Sequence, residues 1–137
     1  LSGHFSPGDR TLLVLTCTPD RKGAALHRFD VTAHTWTTIL EVQDESVDFI
    51  PLTGGAILLR EHGLIHLHDT TGARLATMVH RTNGEWLVAT PDGRWDASLN
   101  GHTLAAWRRG RQLIATSELP ANSHVPGLLG RLLQQPD

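Results

Sequence analysis

The sequence predicts an all-β fold of four-stranded antiparallel sheets, on three observations: short apolar runs bounded by turn residues, thirteen Gly and seven Pro spread along the whole chain, and an internal repeat with a 39-residue shift. The runs lie at 11–18, 56–59, 64–67, 86–89 and 113–115. Two of them, LLVL at 12–15 and AILL at 56–59, are continuous rather than alternating, as strands covered on both faces should be, so stacked sheets are implied. With 137 residues, 39% of them apolar and 19% charged, the chain falls in the range of one soluble globular domain, 1–137.

The repeat needs no gaps: LHRFDVTAHTWTTIL at 26–40 lies over IHLHDTTGARLATMV at 65–79 and LAAWRRGRQLIATSE at 104–118. It superposes Leu26, Ile65 and Leu104; Phe29, His68 and Trp107; Asp30, Asp69 and Arg108; and Thr38, Thr77 and Thr116. It also sets His27 over His66 and Gly54 over Gly93. A period near 40 residues with four short strands per unit is the pattern of a β-propeller blade. The units run roughly 1–42, 43–81 and 82–120. The first supplies TLLVLTCT, ALHRFDV and TTILE, with PDRKGAA (19–25) as a loop insertion and its innermost strand expected to be missing or to precede Leu1. In the second the strands are ESVDFI, AILLRE, LIHLHD and RLATMV; in the third, EWLVAT, RWDASL, LAAWRR and QLIATSEL. The three Thr are therefore expected on the outermost strands of three successive sheets. The tail, 121–137, is read as a short helical segment with Pro126 at its first position and Leu128, Leu129, Leu132 and Leu133 on one face, too short to hold without docking.

The aromatic-then-acidic step closing the third strand of each unit, Phe29-Asp30 and His68-Asp69 with Trp107-Arg108 as a variant, resembles the WD-repeat propeller pattern, as does the FSPGD turn. The last fifty residues, WLVATPDGRWDAS, then LAAW and VPGLLGRLL, resemble the end of bacterial WD-repeat proteins joined to caspase-like peptidase or other effector domains. That resemblance implies a sensing or scaffolding propeller beside an enzyme that this chain does not contain. Propellers close with roughly four to eight blades, so about three blades call for others from another segment, chain or copy. The absence of an initiating Met agrees with a processed piece.

Pro91-Asp92-Gly93 suits a tight hairpin, since Pro fixes φ, Asp bonds its own backbone and Gly takes positive φ. Asp96, after Trp95, is expected to accept a bond from a loop amide. His62, His66 and His68 are near enough to weigh as metal ligands, but no carboxylate or Cys is spaced to complete a site, and neither a metal nor a cofactor is expected. Cys17, in an apolar run, reads as a buried, inert thiol. Arg108, Arg109 and Arg111 surround Gly110 in an exposed hairpin open to an acidic surface or a phosphate. Trp36, Trp86, Trp95 and Trp107 are expected to pack between blades, with one at a rim available to a partner.

A net charge of −2 removes the basic field of a nucleic-acid or anionic-membrane protein, and no apolar run approaches the ~18 residues of a membrane span. A single Cys excludes an intrachain disulfide and fits a reducing, cytoplasmic compartment. Nucleophile elbow, phosphate loop and His-Glu-x-x-His motifs are all missing, so no enzyme is expected. The expected function is a non-catalytic scaffold or sensor with protein partners. The alternatives are a regulatory propeller in a protease or defence effector complex and, behind it, a metal-dependent propeller hydrolase or lyase.

Overall fold

The structure, a computed structural model, describes residues 2–5, 11–17, 19–20, 22–43, 47–52 and 54–134. The chain divides into two compact units, Leu1–Arg74 and Leu75–Asp137. Among the described residues, apart from three 3-10 turns and one six-residue helix, every regular element is a β-strand, and the strand pairs are antiparallel. No helix among the described residues is long and apolar enough to cross a membrane.

In the first unit β1 (Ser2–Phe5), β2 (Thr11–Cys17), β3 (Ala24–Asp30) and β4 (Thr35–Val42) form a four-stranded meander in chain order. The innermost strand expected to be missing is therefore present, as β1. Residues 6–10 of the FSPGDR segment lie outside the described residues. A second sheet holds β5 (Asp48–Pro51), β6 (Ile57–Glu61) and β7 (Leu64–His68). Leu13, Leu15, Leu26 and Val42 from the first sheet pack with Val47, Phe49, Ile57 and Leu59 from around the second in one buried cluster. The two sheets are stacked, as the continuous apolar runs imply, but LLVL of β2 is buried on the Leu13 and Leu15 face only and not on both as expected. Cys17 departs from its expected burial: it shares the parity of Leu13 and Leu15 but ends β2 beyond them, and it is exposed.

One turn recurs. In 52–56, 69–73, 81–85 and 90–94 the first residue donates its N–H to the carbonyl of the fifth, while the fourth, always Gly, donates back to the first. These Gly have φ of 90–93°, the left-handed position that follows a type I turn and that Gly occupies without strain. Gly55 rather than Gly54 is thus the structural counterpart of Gly93. A different turn joins β6 to β7: His62 (φ 50°) and Gly63 (φ 78°) are both left-handed, as a type I′ hairpin requires.

The second unit departs further from the predicted blades. It contains β8 (Arg74–His80), β9 (Trp86–Ala89), β10 (Trp95–Ala97), β11 (Ala106–Arg109), β12 (Gln112–Ala115) and helix α1 (Leu128–Leu133). β8 pairs with β9, and β9 with β10, so a strand expected to end one blade is hydrogen-bonded to the strand expected to begin the next. β11 and β12 form a separate hairpin. The chain bends between β10 and β11 in a 3-10 turn at Gly101–Leu104, where a Cβ on Gly101 would meet the Trp86 carbonyl oxygen at 1.9 Å. That close approach takes Leu104 out of its predicted strand and ends the sheet at β10. Thr38 lies on β4 and Thr77 on β8, but Thr116 opens a 3-10 turn, Thr116–Glu118, instead of closing a strand. In α1 Leu128 and Leu132 are buried whereas Leu133 is half exposed, and the helix starts after a left-handed Gly127 rather than at Pro126.

Candidate protein-docking site

The β1–β4 sheet covers the core with one face and leaves the other free among the described residues of its unit. Leu12, Phe29 and Trp36 are paired across β2, β3 and β4 on that second face, and so are Val14, His27 and Thr38. Trp36 is 59% exposed, its ring 4.7 Å from that of Phe29, and the His34 ring stacks with Phe29 at 6.4 Å. Beside the rings runs a polar row: both His27 nitrogens are hydrogen-bonded, Nε2 to the Thr16 hydroxyl at 3.0 Å and Nδ1 to that of Thr38 at 3.1 Å. This satisfied row fixes the β2–β3–β4 register and holds the aromatic group as a rigid, half-apolar platform. The sequence repeat marked Phe29 and Thr38, but not their union with Trp36, Thr16 and His34. The alternation along 35–38 was the available signal.

The two Asp of the aromatic-acidic step both cap turns. Asp30 Oδ1 accepts the N–H groups of Thr32 and Ala33, each at 2.9 Å. Asp69 Oδ1 accepts those of Thr71 and Ala73 and the Thr71 hydroxyl at 2.6 Å, and this hydroxyl bond is the main reason its carboxyl titrates below its usual range. In the Pro91-Asp92-Gly93 turn the Asp92 carboxylate takes the Thr90 hydroxyl and Arg94 Nε, at 3.1 Å to each oxygen, which lowers its pKa, the Thr90 bond most. Trp107 is half-buried and donates its indole N–H to the Thr116 hydroxyl at 3.1 Å.

Asp96 and Trp95 clasp the C-terminal segment. Asp96, 8% exposed, accepts the backbone N–H of Gly127 at 2.9 Å and pairs with His124 Nε2 at 3.1 Å. The Trp95 ring stacks on His124 at 4.3 Å, its indole N–H donates to Ser123 Oγ at 3.1 Å, and Val125 N–H donates to the Trp95 carbonyl. The loop amide expected for Asp96 is thus that of Gly127; His124 and Ser123, 28 residues away, went unseen in the sequence. Asp96→Ala is expected to cost about 2 kcal/mol, the range of a hydrogen bond to a charged group, and to speed amide exchange selectively in 124–133. Unchanged protection there would remove the clasp.

The His residues separate. His66 and His68 lie on β7, cross-strand from core Leu59 and Ile57, and both are buried. His68 donates Nδ1–H to the Gly72 carbonyl at 2.9 Å, and its Nε2 is buried without a hydrogen-bond partner among the described residues. His62 is in the exposed turn, and Glu61 lies 3.9 Å from both His62 and His66. Among the described residues no three His, Cys, Asp or Glu are grouped to hold a metal. Arg108, Arg109 and Arg111 are exposed around Gly110, whose φ of 61° starts the two-residue turn between β11 and β12.

No family model, curated protein or solved structure matches this chain.

Proposed function

We propose that this chain is a non-catalytic, cytoplasmic scaffold of WD-repeat-like, blade-forming meanders that bind protein, a further antiparallel sheet among its partners. The reading is carried by the uncovered face of the β1–β4 meander, with Trp36 exposed over Phe29 and its register pinned by the Thr16–His27–Thr38 row. Turn-capping Asp30 and Asp69, 39 residues apart, support the blade resemblance. The β8–β9 pairing limits it, because successive propeller blades pack face to face and do not share a ladder. An apolar sheet face of this kind is stabilised by a second sheet laid against it.

Sedimentation velocity of the 137-residue chain tests the reading, with a second copy serving as the covering sheet. Reversible, concentration-dependent association is expected, and Trp36→Glu should abolish it while leaving the urea midpoint unchanged. A cooperative monomer at all concentrations would overturn the reading. So would peptidase, esterase or phosphatase turnover that disappears with Asp96→Ala.

A further inference from the structure

We propose that the β11–β12 hairpin is a docking edge for an extended acidic segment of a partner protein, added as a third strand along β12. This goes beyond the scaffold reading, which rests on a different surface, by giving one partner a stated chemistry. Three independent observations carry it.

The first is an open ladder. Among the described residues β11 and β12 pair only with each other. In a hairpin closed by Arg109 and Gln112, the alternation of antiparallel pairing turns the N–H and C=O of Leu113 and Ala115 away from β11. Free groups of this kind on an edge strand are the template on which a peptide strand adds.

The second is charge. Arg108, Arg109 and Arg111 are the only Arg, Lys, Asp or Glu side chains between Gly101 and Ser117, with His102 in the same stretch and Glu118 just after it, on a chain whose net charge is −2. None of the three makes an ion pair or side-chain hydrogen bond among the described residues. A strand carrying carboxylates at alternate positions would meet unpaired guanidinium groups, which hold carboxylates through directed, charge-assisted bonds.

The third is shape. Leu113, cross-strand from Arg108, is 67% exposed, and it lines a groove of about 390 Å³ with His102, Ala105, Ala115 and Ser117. Ile114, on the opposite face of the hairpin, is buried and lines the same groove. Arg108 shares the Leu113 face, Arg109 shares the opposite face and Arg111 is in the turn. An added strand alternating acidic and apolar residues would therefore set its apolar side chains on the Leu113 seat and its carboxylates on the Arg109 face. A bare phosphate would satisfy the arginines and leave the seat and the ladder unused.

The test uses the 137-residue chain and a blocked seven-residue peptide alternating Glu and Val, followed by NMR. The expected result is binding with shifts confined to 102–117, none with the Lys–Val peptide, and loss of binding when the amides of one alternating set are N-methylated. Replacing all three arginines by Gln should weaken binding roughly tenfold or more, since paired charges are lost while the strands remain. Equal binding of the Lys–Val peptide, equal binding of both N-methylated forms, shifts elsewhere, or displacement by equimolar inorganic phosphate would each overturn the proposal. Trp36→Glu should leave peptide binding intact, so this failure and that of the scaffold reading are read separately.

Discussion

Taking the protein from pH 7 to pH 4 is expected to remove about 3 kcal/mol of unfolding free energy through one side chain, His66. Burial is the main reason its pKa falls from 6.5 to about 4, with the charges of Arg74 and then His68 adding to it. Glu61 lies 3.9 Å away, too far for a hydrogen bond to hold the proton. The unfolded chain takes up a proton near pH 6.5, while the folded chain resists until about 4. The stabilisation is therefore complete above 6.5 and disappears as the pH falls to 4. Asp69 and Asp92, whose pKa values are lowered, begin to lose their contributions as the pH falls through about 5 towards the ordinary carboxylate range, so the slope between pH 6.5 and about 5 is free of them. Urea titrations at pH 7, 5.5, 4.5 and 4 read the slope, and His66→Gln should flatten it. A slope that persists in His66→Gln belongs to another group.

Leu59→Ala should be the most damaging single truncation, costing about 3–5 kcal/mol. Leu59 has no exposed surface and lies in the cluster where both sheets of the first unit meet, with Leu13, Leu26 and Phe49. Its removal leaves a cavity between two hydrogen-bonded sheets, and neither can move inward without giving up ladder bonds. Leu59→Met, which keeps volume, should cost less than about 1.5 kcal/mol, and Leu113→Ala on the exposed hairpin within about 0.5 kcal/mol. Denaturant unfolding of the three variants gives the ranking. If Leu59→Ala and Leu113→Ala prove equal, the two sheets do not share this core.

Elements held together by local chemistry were legible before the structure. The LLVL run of β2 and the AILL run announced stacked sheets, although LLVL announced cover on both faces and is buried on one. The Asp30, Asp69 and Asp92 turns carry their own acceptors within four residues. Elements decided by distant backbone were not. Leu104 is apolar and in register with Leu26, yet the approach of Gly101 to the Trp86 carbonyl bends the chain first. Thr116 matches Thr38 and Thr77, but its hydroxyl accepts from the Trp107 indole at the start of a turn. Cys17 has the parity of the core and the position of a strand end. At the candidate site Phe29 was visible through the repeat and the arginine trio through its turn. No spacing rule links Asp96 to Gly127, 31 residues on.

The meander has a consequence for how the chain acquires its fold during synthesis. Each pair β1–β2, β2–β3, β3–β4, β5–β6, β6–β7, β8–β9, β9–β10 and β11–β12 joins neighbours in the chain, with turns as short as His62-Gly63 and Gly110-Arg111. Each ladder closes at small entropic cost, so a hairpin can form as soon as its second strand leaves the ribosome. The Asp96 clasp is different, since its partners lie 28 and 31 residues downstream. Until Gly127 has emerged, the Asp96 carboxylate lacks its amide, and Leu128 and Leu132 have yet to dock. The second unit is therefore locked only after 124–133 have been synthesised and that segment closes over β10.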